Sequence, residues 1–200
     1  MRNAEATRER ILEAALAEFS AYGIAGARVD RIAQAAKCNK NLIYIYFQDK
    51  ETLFTTVLSK HILRVHEDYP FTPDDLPGYA ARVFDFAMEN PDLMRLLAWS
   101  ALEQKPDALA ERAAALDAKV TALTELQKTG QVGTAFPPDF LLVAILILAT
   151  SWSATSPFGP STSPKAADRK AAVRKSVVEA VRLLANAGKA KRTPARNKLR

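Results

Sequence analysis

The groups in this chain with the plainest chemistry lie between Arg28 and Lys50. Arg28, Lys37, Lys40 and Lys50 offer cations to phosphates, and Tyr44 and Tyr46 offer hydroxyls. Asn41 carries an amide that can pair with adenine, and Leu42 an apolar group that can touch a thymine methyl. Two short apolar patterns position these groups. Val29, Ile32, Ala33 and Ala36 recur at helical spacing, and Ile43 and Phe47 stand four apart, on one face of a second helix. Between them Lys37-Cys38-Asn39-Lys40 forms a tight polar break. Asn39 is suited to cap the second helix by accepting one of its free N–H groups. Two helices joined by so short a turn make a helix-turn-helix, with the second helix available for a DNA groove. Lys50 stands in the first turn of a following helix capped by Asp49, where backbone N–H groups and the positive dipole end also favour a phosphate.

These residues and their neighbours resemble the tetracycline-repressor (TetR) family of bacterial regulators. The resemblance rests on Ile11-Leu12-Glu13-Ala14-Ala15, Phe19, Tyr22-Gly23, Val29-Asp30-Arg31-Ile32-Ala33, Leu42-Ile43-Tyr44-Ile45-Tyr46-Phe47 and Lys50-Glu51-Thr52-Leu53-Phe54, about the first third of the chain. The sequence departs from the family's habit at Lys37, where Gly is usual, at Asn41, where Gly or another small residue is usual, and at Arg28, where Thr or Ser is common. The resemblance implies a DNA-binding head, a twofold dimer closed by the last two helices of each subunit, and a C-terminal domain that binds a small molecule and releases DNA.

Helical periodicity continues to the end of the fold, and no alternating strand pattern of useful length occurs, so the expected class is all-α: a three-helix helix-turn-helix head plus a helical ligand-binding and dimerisation domain. Ile11, Leu12, Ala15, Leu16 and Phe19 make the first helix amphipathic, and Gly23 is placed to end it as a left-handed cap. Residues 1–50 form the head, 51–70 a connecting helix and 71–187 the second domain. The boundary falls in the proline- and acid-rich stretch Pro70–Pro77. Asn90 is expected to cap the helix opened by Pro91, and Gly130 to close a long Ala-rich helix that starts near Pro106. A further helix is expected from Asp139 to about Ala154, and a last one over 165–187. Residues 188–200 are basic, lack an apolar pattern and read as a disordered tail.

Phe84, Met88, Met94, Trp99, Leu102, Phe140 and Trp152 are the candidates for a pocket that takes a small apolar or aromatic effector, with ordinary core packing as the competing role of each. The helix from Asp139 is apolar nearly all round and must be covered on more than one side. Leu142, Ile145 and Leu146 of this helix, with Val173, Val177, Val181 and Leu184 of the last one, are therefore expected at the homodimer interface.

Composition narrows the alternatives. Of 200 residues 48% are hydrophobic, as in an ordinary globular protein. The net charge of +6 is carried by the end of the chain: residues 1–60 sum to +2, 61–187 to −2 and 188–200 to +6. Those last residues can add nonspecific DNA affinity or simply stay solvated. A single cysteine excludes an internal disulfide and suits a reducing cytoplasm. Cys38 reads as a small buried hydrophobe, with a redox switch as the rarer alternative. The charged N-terminus lacks a signal core, and the apolar run 140–149 is short of the ~20 residues that span a bilayer, so no membrane partner is expected. His61 and His66, five apart, do not share a helix face, so no metal site and no cofactor are expected. No Ser-His-Asp or Cys-His set can be assembled, which excludes the usual routes to an enzyme. The expected function is a dimeric, sequence-specific regulator, a ligand-responsive repressor on a near-palindromic operator. The competing reading is a constitutive helical dimer that binds DNA or a protein without sensing a small molecule.

Overall fold

The structure, a computed structural model, describes residues 2–103, 110–158 and 169–189. Among the described residues it is all helical: α1 (Arg2–Gly26), α2 (Val29–Ala35), α3 (Lys40–Phe47), α4 (Lys50–Asp68), α5 (Leu76–Glu89), α6 (Pro91–Leu102), α7 (Ala110–Lys128), α8 (Pro138–Thr150) and α9 (Lys170–Asn186). The expected helix starts near Pro106 and Lys165 and the tail beyond Lys189 lie outside the described residues.

Two apolar clusters organise the chain. The first joins Ile11, Leu12, Ala15 and Phe19 of α1 to Ile32 of α2, Ile43 and Phe47 of α3, and Leu53, Phe54, Val57 and Leu58 of α4. Phe19 and Phe54 meet edge to face at 5.2 Å near its middle. Leu93 and Leu96 of α6 also belong to this cluster, so α6 packs on the head although it follows the expected domain boundary. The second cluster is built from α5, α7, α8 and α9, with Phe84, Leu123, Leu141, Ile145 and Val181 fully buried.

The seam between α1 and α6 has its own chemistry. Gly23 interrupts α1 with φ 66° and ψ −177°. The φ is positive as a glycine cap requires, but the ψ is extended rather than left-handed helical, a region open essentially to glycine alone. α6 fills the space beside it. The Trp99 indole N–H donates to the Ser20 carbonyl at 3.3 Å, and Glu103 Oε1 accepts from the Ile24 N–H at 2.9 Å. A Cβ on Gly23 would lie 2.9 Å from Glu103 Oε1 and 3.0 Å from the Trp99 ring.

The helix caps follow local chemistry. Asp49 accepts from the Thr52 N–H at 2.7 Å and Asp75 from the Gly78 N–H at 2.9 Å. Asn90 differs from the expectation: its amide donates back to the Phe86 carbonyl at 2.9 Å and makes no cap bond to α6. Gly130, at φ 70°, closes α7. α8 ends at Thr150, four residues before the expected end.

Candidate nucleic-acid interface and internal cavity

α3 is eight residues long and too short to persist alone. Ile43 and Phe47 hold it to the core, at 1% and 2% exposure. At its start Asn39 Oδ1 accepts from the Asn41 N–H at 2.9 Å, as the sequence predicts. The turn before it is a Schellman motif: the Cys38 N–H reaches the Ala33 carbonyl at 3.0 Å and the Lys37 N–H the Gln34 carbonyl at 3.1 Å. Lys37 occupies the left-handed position of that motif, with φ 52°. A glycine would sit there without steric cost, so this chain keeps a cation at the expense of backbone strain.

The outward face of the head presents Arg28, Lys37, Asn39, Asn41 and Tyr44, all exposed, with Lys40 and Leu42 half-buried. The Lys40 ammonium pairs with Asp30 Oδ1 at 2.9 Å across the turn. That hydrogen bond and charge raise its pKa above the ordinary lysine value, so it remains a cation at any physiological pH. Tyr44 is 43% exposed. Tyr46 is turned away from this face: it packs against the head core, and its hydroxyl donates to the Ala4 carbonyl at 3.4 Å. Lys50 is also partly committed, donating to the Ala27 carbonyl at 3.3 Å. Ile45, 73% exposed on the same helix, was not among the sequence candidates. The signal was present: with Ile43 and Phe47 inward, Ile45 is half a helical turn from the core side.

A half-buried ion pair holds α1 to α2 behind this face. Glu18, 9% exposed, accepts from the Arg31 side chain at 2.7 Å and from the Arg28 N–H at 2.8 Å. Burial alone would raise the Glu18 pKa, but the Arg31 hydrogen bond, the Arg28 N–H and the two charges together hold it below the ordinary carboxylate value. Arg31 also lies 4.3 Å over the Tyr22 ring. Cys38 is half-buried, and burial pushes its thiol pKa up. That supports the packing role, since a redox switch needs a lowered one.

A cavity of about 360 Å³ lies between the two apolar clusters. Ile62 and Val65 of α4, Tyr69 just after it, Met94, Leu97 and Ala101 of α6, and Lys119 of α7 are among its walls. Of the sequence candidates for a pocket, Met94 lines it. The others lie elsewhere. Phe84 is fully buried in the second cluster, and Met88 and Trp152 pack against that cluster. Trp99 faces α1. Leu102 and Phe140 are exposed, at 73% and 54%. Phe86, on the same helix as Phe84, takes the expected aromatic place in the wall.

Four of the interface candidates are turned inward. Leu142, Ile145, Val177 and Val181 are at most 4% exposed within one chain, so they cannot meet a partner. Leu146 lines the cavity, and Val173 and Leu184 pack against the second cluster. The apolar groups of α8 left outside are Phe140, Val143 and Ile147, at 54%, 52% and 59% exposure. Their spacing of three and four puts them on one stripe. Leu183 of α9 is 60% exposed as well.

A capped helix with a polar outer face on a three-helix head, joined to a helical body, defines a helix-turn-helix DNA-binding transcriptional regulator. Comparison with known proteins agrees. Residues 11–57 match the model described as bacterial regulatory proteins, tetR family, and residues 75–182 the tetracyclin repressor-like C-terminal domain. The chain is 42% identical over 160 residues, 78% of its length and 82% of the relative's, to the HTH-type transcriptional repressor SCO4008 of Streptomyces coelicolor. It is 30% identical over 158 residues, 74% of each chain, to the HTH-type transcriptional repressor NicS of Pseudomonas putida. A solved structure, SCO4942 of Streptomyces coelicolor, described as a candidate transcriptional regulator, superposes with a TM-score of 0.77 at 37% identity, covering 88% of this chain and 96% of that one. The chain belongs to the TetR family. Among the described residues no helix is long and apolar enough to cross a membrane.

Proposed function

We propose that the protein is a homodimeric, ligand-responsive repressor that acts in the cytoplasm on a near-palindromic operator. The observation that carries this reading is the outer face of α3. Lys40, Asn41, Leu42, Tyr44 and Ile45 surround a helix of the right size for a major groove, held from behind by two fully anchored side chains. Lys40, Asn41, Leu42 and Ile45 approach base edges. Arg28, Lys37, Tyr44 and the start of α4 at Lys50 grip phosphates. Tyr46 supports the head from within.

The exposed stripe Phe140, Val143 and Ile147, with Leu183, is the surface that a second copy covers. Pairing there sets the two recognition helices about one turn of DNA apart. The cavity supports sensing over the constitutive alternative. Its walls include α4, which is separated from α3 by two residues, and α6, whose opposite side holds α1 through Trp99 and Glu103. An effector that prefers one setting of α4 and α6 shifts the spacing of the heads by its differential affinity for that setting.

Selection of bound duplexes from a random pool, repeated over a salt series, tests the reading. The expected result is a near-palindromic consensus and an affinity that falls steeply with salt. Binding without a consensus would contradict it.

A further inference from the structure

We propose that the cavity accepts an amphipathic anion: an apolar body ending in a single carboxylate, held by Lys119 and Tyr79. The proposal rests on reading the cavity as the effector site. Among the described residues Lys119 is the charged one in an otherwise apolar and aromatic wall, which has the hydroxyls of Tyr69, Tyr79, Thr150 and Thr155 besides. The Thr150 hydroxyl is spent on the Leu146 carbonyl at 2.8 Å, and that of Thr155 meets Ser153 at 3.1 Å. Lys119 is half-buried, and among the described residues no carboxylate lies within ion-pair distance of it. Its ammonium donates to the Tyr79 hydroxyl at 3.1 Å and lies 5.5 Å and 5.9 Å from the Tyr79 and Phe71 ring centres. Those two rings meet edge to face at 4.9 Å, which fixes the end of the lysine against a firm aromatic corner.

Tyr79 supplies the second observation. It is 2% exposed, and its oxygen is already the acceptor for Lys119. Among the described residues its own hydroxyl hydrogen meets no acceptor. A buried donor without a partner is costly. Two donors with hydrogens to spare therefore stand 3.1 Å apart at the edge of an apolar space. A carboxylate has two oxygens and several lone pairs, so it can accept from both. In a partly desolvated wall such charge-assisted bonds are the strong ones. An amine would meet the like charge of Lys119, and an alcohol would accept from both donors only as a neutral group, without charge assistance. One ammonium balances one negative charge, which favours a monocarboxylate over a dianion.

Calorimetric titration of the full-length protein with octanoate, octanol and octylamine tests this, because the three share one chain and differ in the head group. Octanoate is expected to bind at least about tenfold more tightly than either of the others, as a charge-assisted bond is stronger than a neutral one. Lys119→Met is expected to abolish that preference, weakening octanoate binding by at least about tenfold more than octanol binding. Tyr79→Phe, which keeps the ring and the ammonium, is expected to weaken octanoate binding by a smaller factor. Equal affinity for the three probes, or preference for octylamine, overturns the anion assignment but leaves an effector cavity standing. Failure of every probe to bind overturns the effector reading and this inference with it.

Discussion

The head and the body of this chain solve opposite problems with the same kind of helix. In the head, apolar side chains point inward and the chemistry is left outside, on an α3 anchored by Ile43 and Phe47. In the body the order is reversed. The polar pair Lys119 and Tyr79 faces a partly open cavity between helices, and apolar groups of α8 are left on the surface. A binding face on the outside can be read from which residues are not core. A binding face on the inside cannot, because its residues share the composition of the core around them.

The largest effect is expected where the body exposes apolar surface. Val143→Asp with Ile147→Asp puts two charges on the α8 stripe and should convert a dimer to a monomer in sedimentation. Operator affinity should fall by two or more orders of magnitude, since each head alone keeps only half of the contacts. An unchanged dimer would break the comparison at its body side. The seam between α1 and α6 comes next. Gly23→Ala forces a Cβ into Trp99 and Glu103 at a backbone geometry suited to glycine, and should cost about 2–3 kcal/mol in denaturant unfolding. A neutral result would show that α1 and α6 move apart without cost.

Smaller effects sharpen the head side. Glu18→Gln removes the charge that holds Arg31 and should cost about 1–2 kcal/mol, discounted because Arg31 is partly exposed. The pH dependence has a definite sign. The folded pKa of Glu18 is lowered, so its stabilisation is full above the ordinary carboxylate value and is lost as pH falls through the lowered one. Glu18→Gln should therefore flatten the acid limb of the stability curve. Lys37→Gly is the smallest and the most diagnostic substitution. Relief of the left-handed strain should stabilise the head by roughly 1 kcal/mol. If Lys37 grips a phosphate, the slope of log affinity against log salt should lessen by about 1. Stabilisation without a change of slope would remove Lys37 from the DNA contacts.

The legibility of the sequence follows the same division. The Asn39 cap, the Ile43 and Phe47 anchors and the all-α class follow from spacing and local hydrogen-bonding chemistry, which the sequence displays directly. Tyr46 was less readable, because an aromatic residue with a polar tip satisfies either role, and contact with the Ala4 carbonyl depends on where α1 begins. In the body, α8 has apolar residues on every side, so no stripe marks its neighbours. Leu142 and Ile145 turn to the core, Leu146 to the cavity, and Val143 and Ile147 to solvent. Only the packing of α5, α7 and α9 around α8 decides among them. Lys119 was invisible for a related reason: one lysine in an Ala-rich helix reads as solvated until Tyr79, 40 residues away, is placed against it.

The most direct test of the account is whether the outer face of α3 binds DNA while the rest of the molecule stays intact. Lys40→Ala combined with Tyr44→Ala, measured on the selected duplex by fluorescence anisotropy with sedimentation alongside, should lose at least about a hundredfold in affinity and keep the dimer. Tight binding by an intact double variant would contradict the account, because DNA would then be held by some other surface.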